Sequence, residues 1–387
     1  MTRMLASVGD RGEAEIAIAG GADIIDLKDP SRGAFGAVDP ATVRDTVIAV
    51  AGRRPVSAVL GEVPMQPGAL ADAVAAMAEA GADTLKLGFF FPAHDPDAII
   101  RALAPLARRQ KLIAVLFADL APDLALLPRL AAGGFVGAML DTAAKGGAGL
   151  LEQWDLPALR RFVLGCREQH LLCGLAGGLE APDVPRLLVL DPDVLGFRSA
   201  LCGEAGRAGP IEPAAVRAIR ALIPPQAGQA GAGAVDYRLL AARGYAPDLP
   251  QGTGATDRVF VRDLVLPVRI GAYSRERSRP QRVRFAVEAS VLRALRPSQD
   301  MRDVFSYDLI IDAIRMVVDA GHIALVETLA ERIADTLLAH RRIVRVAVQV
   351  EKLDLGVGMA GVAIERNRSD VAPARSAGRG AGGTVTE

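Results

Sequence analysis

From Met4 to about Ile223, short apolar runs alternate with alanine-rich amphipathic stretches. The runs Met4–Val8, Ile24–Lys28, Val56–Leu60, Thr84–Phe89, Leu112–Phe117, Gly137–Asp141, Leu172–Ala176 and Val194–Ser199 have the length and continuous apolarity of strands covered on both faces. Between them Glu13–Ala19, Ala69–Ala80, Pro96–Ala107, Pro157–Glu168 and Pro213–Leu222 carry helical spacing. About eight βα units in slightly over 200 residues predict an α/β TIM (β/α)8 barrel; a doubly wound open sheet is the alternative, with fewer strands as a rule. Gly-Ala-Asp recurs before two of the runs, at Gly21-Ala22-Asp23 and Gly81-Ala82-Asp83, a hint of internal half-barrel similarity.

The pattern breaks at Pro224-Pro225-Gln226. A Gly/Ala-rich stretch with one short helical candidate, Asp236–Arg243, reaches Thr256 and reads as a linker. From Asp257 the period becomes two: Arg258–Gly271 and Arg282–Leu292 alternate apolar and polar residues, as half-buried antiparallel strands do. Two amphipathic helices, Asp308–Ala320 and Leu325–His340, and two further strands, Val344–Glu351 and Met359–Glu365, complete a β-β-α-α-β-β unit of α+β type. The expected boundaries are 1–224 for the barrel, 225–256 for the linker, 257–366 for the second domain and 367–387 for a disordered Gly/Ser/Arg-rich tail.

Composition narrows the function. Forty-five basic residues balance 45 acidic ones, so no charge excess points to nucleic acid or to an anionic membrane. Cys166, Cys173 and Cys202 lack metal-ligand spacing and read as buried, reduced thiols. His94, His170, His322 and His340 form no spaced pair, so no metal and no cofactor is expected. The apolar stretch within Met1–Asp10 is too short for a signal peptide, and no segment is long enough to span a bilayer; a cytoplasmic enzyme is expected.

The most informative residues are two lysines on predicted core strands, Lys28 and Lys86. A buried lysine costs several kcal/mol unless it is paired or neutral. Desolvation and a neighbouring cation lower an amine's pKa and make it a nucleophile toward carbonyls. Asp26 shares a face with Lys28, and Asp141 and Lys145 follow strand six. All five lie at strand ends that converge in a barrel. Singly each lysine reads as a rim cation; as a set they read as a site in which carboxylates hold amines and shuttle protons. Two glycine-rich turns, one with Gly177 and Gly178 after strand seven and one with Arg198 and Ser199 after strand eight, suit phosphate binding through backbone N–H groups, although either alone reads as an ordinary turn. The residues thus point to a phosphorylated carbonyl substrate and aldol-type chemistry.

At these residues the chain resembles the (5-formylfuran-3-yl)methyl phosphate synthase family of archaea and methylotrophs. The likeness spans about residues 4 to 222 and rests on Glu13–Asp29 with its Lys-Asp-Pro, Pro55–Pro64, Gly81–Gly88, Met139–Gly146 and the two glycine-rich turns. It implies condensation of two glyceraldehyde 3-phosphate molecules into a phosphorylated furan aldehyde, an early step toward methanofuran. Lys86 would be the Schiff-base residue, with Lys28, Asp26, Asp141 and Lys145 around it. Glu62 departs from the aspartate expected there and is left outside the catalytic set.

The second domain resembles dihydroneopterin aldolase through Ile270-Gly271-Ala272-Tyr273 with Glu276, Ser306-Tyr307, Val326–Ala334 and Val350-Glu351-Lys352. That resemblance implies a T-fold assembling into rings with shared sites, so a homo-oligomer, and a dihydropterin substrate. Glu327 would grip the pterin, Lys352 and Tyr307 would transfer protons, and Glu276 would join the site. Leu353 stands where proline is usual, Ser306 where asparagine is usual, and the loop Asp354–Gly358 also differs. Two rival expectations follow: a second domain that only assembles the barrel, or a barrel that is another phosphate-binding lyase or isomerase.

Overall fold

The computed structural model describes residues 2–33, 35–90, 95–144, 146–203, 206–223, 254–273, 276, 279–293, 301–355 and 358–370. Lys145, His94, nearly all of the expected linker with its helical candidate, and the tail beyond residue 370 lie outside them. The described chain forms two compact units, residues 2–223 with 301–319 and residues 254–293 with 320–370.

In the first unit β1 (Arg3–Val8), β2 (Ile24–Leu27), β3 (Val56–Val59), β4 (Thr84–Phe89), β5 (Lys111–Phe117), β6 (Gly137–Asp141), β7 (Leu172–Leu175) and β8 (Val194–Phe197) close a parallel barrel, with β1 paired to β8. This is the TIM barrel that the alternation predicts. The connecting helices are α1 (Arg11–Ala19), α2 (Pro40–Val50), α3 (Pro67–Glu79), α4 (Pro96–Ala107), α5 (Leu126–Ala132), α6 (Leu150–Gln153), α7 (Leu156–Glu168), α8 (Asp183–Leu188) and α9 (Pro213–Leu222). Helices α2, α5, α6 and α8 were not in the predicted set. Three of these have seven residues or fewer, too few turns to display a period of 3.6. α2 does carry start signals, since Asp39 accepts from Thr42 N and proline opens the first turn.

The recurring Gly-Ala-Asp has a structural task at the foot of the barrel. Asp23 Oδ2, just before β2, accepts Met4 N of β1 at 2.9 Å. Asp83 Oδ2, before β4, accepts Val56 N of β3 at 2.8 Å, and Asp193 Oδ2, before β8, accepts Cys173 N of β7 at 2.8 Å. Each carboxylate thereby latches an even strand to the odd strand before it. Val136 occupies the corresponding place before β6 and joins β5 only through its backbone, donating to Leu112 O.

The second unit holds β9 (Thr256–Val268), β10 (Gln281–Leu292), β11 (Ile343–Lys352) and β12 (Ala360–Asn367) in one antiparallel sheet of order β12-β11-β10-β9. Its inner face presents Val283, Phe285, Val287 and Ala289 from β10 and Val346, Val348 and Val350 from β11, all buried. Helix α11 (Val326–Leu338), the later of two helices in this region, packs on β11 and β12 and buries Leu329, Ile333 and Leu337. The other, α10 (Asp308–Asp319), groups with the first unit. The chain order is the β-β-α-α-β-β of a T-fold. β12 extends to Asn367 and a 3-10 turn covers Arg368–Asp370. Among the described residues no helix is long and apolar enough to cross a membrane.

Candidate active sites

At the C-terminal ends of the barrel strands lies a cleft, open to solvent, into which Asp26, Lys28, Lys86, Asp141 and Arg198 project. Parallel register sets the layers: Ser7 of β1 is level with Asp26, and Asp26 with Ser57 of β3. Asp26 is 1% exposed and collects three donors. Lys86 Nζ lies 2.6 Å from its Oδ2, Ser7 Oγ donates to the same oxygen at 3.2 Å, and Ser57 Oγ donates to Oδ1 at 2.6 Å. Beside this group Lys28 Nζ donates to Asp141 Oδ2 at 3.3 Å, while Asp141 Oδ1 accepts Thr142 N at 2.8 Å. Lys28 also stands over the Phe35 ring, 5.3 Å from its centroid. Two buried lysine–aspartate pairs thus share one cavity. Asp26 pairs across the barrel with Lys86, not with Lys28 two residues away.

An aromatic wall flanks the amines. Phe35, Phe90 and Phe117 meet in edge and stacked contacts, with the Phe90 and Phe117 centroids 4.4 Å apart. In a chain only 4% aromatic, this concentration lowers the local polarity and strengthens each charge contact nearby.

The turn after β7 needs glycine at position 177. Gly177 has φ +110° and Gly178 φ +62°, and a Cβ on Gly177 would stand 3.0 Å from Thr142 N. Among the described residues, the N–H groups of Gly177, Gly178 and Ser199 have no partner within the protein. Arg198 is 9% exposed and fully engaged. Its guanidinium contacts Glu13 Oε2 at 2.5 Å and Oε1 at 3.2 Å, and donates to the carbonyls of Ser7, Arg207 and Gly209. Glu62 is outside the cleft lining, and its carboxylate lies against Gly33.

Sequence reasoning missed Ser7, Ser57, Phe35, Glu13 and Asp119. Asp119 follows β5 and accepts Ala143 N and Ala144 N at 2.7 Å each, which holds the segment leading to Lys145. A serine in a strand or an aspartate in a loop carries no signal alone; same-layer positions become visible only once register is known.

In the second unit Lys352, at the end of β11 and 9% exposed, lies 2.5 Å from Glu276 Oε1. Glu276 also accepts Tyr273 N at 3.1 Å and Gln281 Nε2 at 3.3 Å. The Lys352 hydrogen bond, with the Tyr273 N–H next, holds its carboxyl below the usual glutamate range. Gly271, at φ +136°, is required beneath this carboxylate, which occupies the place of a Cβ. Glu327, on the first turn of α11, and Tyr307, 59% exposed, face solvent. Ser306 Oγ accepts Asp308 N at 3.2 Å and so starts α10. The three cysteines are free and buried, and burial, with Cys166 alongside, raises the Cys173 thiol.

Residues 4–220 match the family described as 4-HFC-P synthase, and residues 259–366 the family described as dihydroneopterin aldolase. A Methylorubrum extorquens protein provisionally given the name (5-formylfuran-3-yl)methyl phosphate synthase is 44% identical over 225 residues, spanning 57% of this chain and 92% of that one. The Methanococcus maripaludis protein of that name is 34% identical over 228 residues, spanning 56% and 97%. The crystal structure of dihydroneopterin aldolase from Burkholderia thailendensis bound to guanine is 32% identical, covering 29% of this chain and 92% of that chain, with a TM-score of 0.27. The chain therefore belongs to the 4-HFC-P synthase family through its barrel and carries a dihydroneopterin aldolase family domain in its C-terminal part.

Proposed function

We propose that the barrel condenses two molecules of glyceraldehyde 3-phosphate through an imine on Lys86. The observation that carries this reading is the pair of buried lysine–aspartate contacts in one cleft. The Lys86 ammonium must first give up a proton, and Asp26, 2.6 Å away and oriented by two serine hydroxyls, is its acceptor. The free amine adds to the aldehyde carbon and water leaves. The departing water takes the proton back from Asp26, whose carboxylate then accepts the proton of the carbon next to the protonated imine. The enamine so formed expels the phosphate on the next carbon, and the enol left there attacks the carbonyl of the second triose phosphate. Lys28, fixed by Asp141, supplies a proton to the oxygen of that carbonyl; Lys145 joins it. Ring closure and dehydration balance as two triose phosphates in and one furan aldehyde phosphate, one inorganic phosphate and two waters out. The backbone N–H groups of Gly177, Gly178 and Ser199 hold a phosphate. Incubation with glyceraldehyde 3-phosphate and borohydride should leave a reduced adduct on Lys86, mapped by mass spectrometry, and the untrapped reaction should show furan absorbance. Absence of both would sink the assignment and return the barrel to the alternative of another phosphate-binding lyase or isomerase.

For the second unit the Lys352–Glu276 pair supports cleavage of 7,8-dihydroneopterin, with Tyr307 and Glu327 completing the site in a homo-oligomer. Such a chain would serve two one-carbon carriers, a furan and a pterin, in the cytoplasm. Incubation with dihydroneopterin and chromatography of the products tests it; no turnover in an intact oligomer leaves assembly as the unit's role.

A further inference from the structure

The proposed condensation brings in two phosphates and releases one, so the cleft needs a second anion position besides the glycine-rich turn. Arg198, the arginine that the sequence offers for it, already has both guanidinium Nη atoms and Nε bonded to Glu13 and to backbone carbonyls. Arg207 differs. It lines the same cleft, on the loop after β8, and is half-buried. Its backbone is fixed because its carbonyl accepts Arg198 Nε at 3.0 Å. Its guanidinium donates a single hydrogen bond, from Nη2 to Gly33 O at 3.2 Å, and no carboxylate lies within ion-pair distance of it among the described residues. Burial pulls this arginine below its usual pKa, with the more distant Asp141 opposing. A half-buried arginine with most of its planar fork unmatched is suited to a bidentate oxyanion.

We infer that Arg207 is a second anion subsite of the cleft and takes the substrate phosphate that is expelled. The identity of that phosphate rests on the proposed condensation; the subsite itself does not. Its half-buried position suits a group that must leave, and its positive charge stabilises the phosphate dianion as the carbon–oxygen bond breaks. The bond to Gly33 O also ties the loop after β8 to the segment after β2.

The first test uses the intact wild-type chain and inorganic phosphate. Phenylglyoxal modification is followed peptide by peptide, with exposed Arg217 on α9 as the internal control. Phosphate, against chloride at matched ionic strength, should slow modification of Arg207 at least tenfold and leave Arg217 unchanged. An unchanged Arg207 rate overturns the subsite. The second test is kinetic: Arg207→Met should raise the inhibition constant of inorganic phosphate tenfold or more, with Arg207→Lys in between. Arg207→Met with unaltered phosphate inhibition also overturns it. A wild-type chain that yields no furan defeats the reaction assigned to the barrel, and the protection experiment still reads the subsite independently.

Discussion

At the scale of single residues, the coupling of Lys86 to Asp26 makes a prediction about stability as well as rate. Removing one partner of a buried pair strands the other's charge, at about 3–5 kcal/mol, whereas removing both is far less damaging. Lys86→Met should therefore lower unfolding free energy by about that amount, softened by the Ser7 and Ser57 hydroxyls on Asp26. Lys86→Met with Asp26→Asn should recover most of the loss, as denaturant titration of the cycle would show; additive effects would mean that the pair is not coupled. Asp26→Asn alone should slow imine formation by about 10²–10⁴, read by borohydride trapping over time. The residues of this pair were legible in the sequence because a charge inside an apolar run is conspicuous. Their pairing was not. Neighbouring positions suggest Asp26 with Lys28, while the geometry joins Asp26 to Lys86 on β4 and Lys28 to Asp141 on β6, a choice set by barrel closure. Ser7 and Ser57 stayed invisible because serine is common everywhere.

At the scale of elements, strands read more easily than helices. Each strand is a short apolar block, and the predicted β4 and β6 coincide with those observed. Leu60 and Ala176 fall just past the paired strand ends because apolarity continues after pairing has stopped, whereas Lys28 and Ser199 are polar residues of the cleft lining that follow their strands. The turn after β7 carries the element-scale prediction. Gly177→Ala puts a Cβ 3.0 Å from Thr142 N on a backbone at φ +110°. It should destabilise the barrel by about 1–3 kcal/mol. It should also weaken the inhibition by inorganic phosphate, since the N–H groups at Gly177 and Gly178 would move. Normal phosphate inhibition in a strained but folded Gly177→Ala would remove the turn from the anion site.

At the scale of the whole molecule, the change of period near Asp257 announced a second architecture, and the β-β-α-α-β-β order was legible there from alternation alone. What alternation cannot report is compactness: α10 groups with the barrel unit although it lies between strands of the sheet in sequence. The second unit has its own response to acid. Burial, with Arg342 and then Arg368 adding repulsion, lowers His340 to about 3 from an ordinary 6.5. The folded form keeps this imidazole neutral while the unfolded chain protonates below 6.5, so the unfolded state binds the extra proton and stability falls as pH falls. The loss should approach about 1.4 kcal/mol per pH unit below 6.5 and level off near the folded value. Urea unfolding between pH 6.5 and 4.5 should show a shallower dependence in His340→Gln; identical slopes would assign the acid response to other groups. The foot of the barrel, finally, bears on alignment at its top. One residue of slip between parallel strands displaces a side chain by about 3.3 Å, whereas a reacting pair must be held to about 0.5 Å. Asp23 and Asp83 precede the strands that carry Asp26 and Lys86, and each hooks its strand to a fixed backbone N–H. The two aspartates therefore work as a gauge: the height at which carboxylate meets amine is set from the opposite end of the barrel, three residues further down each strand.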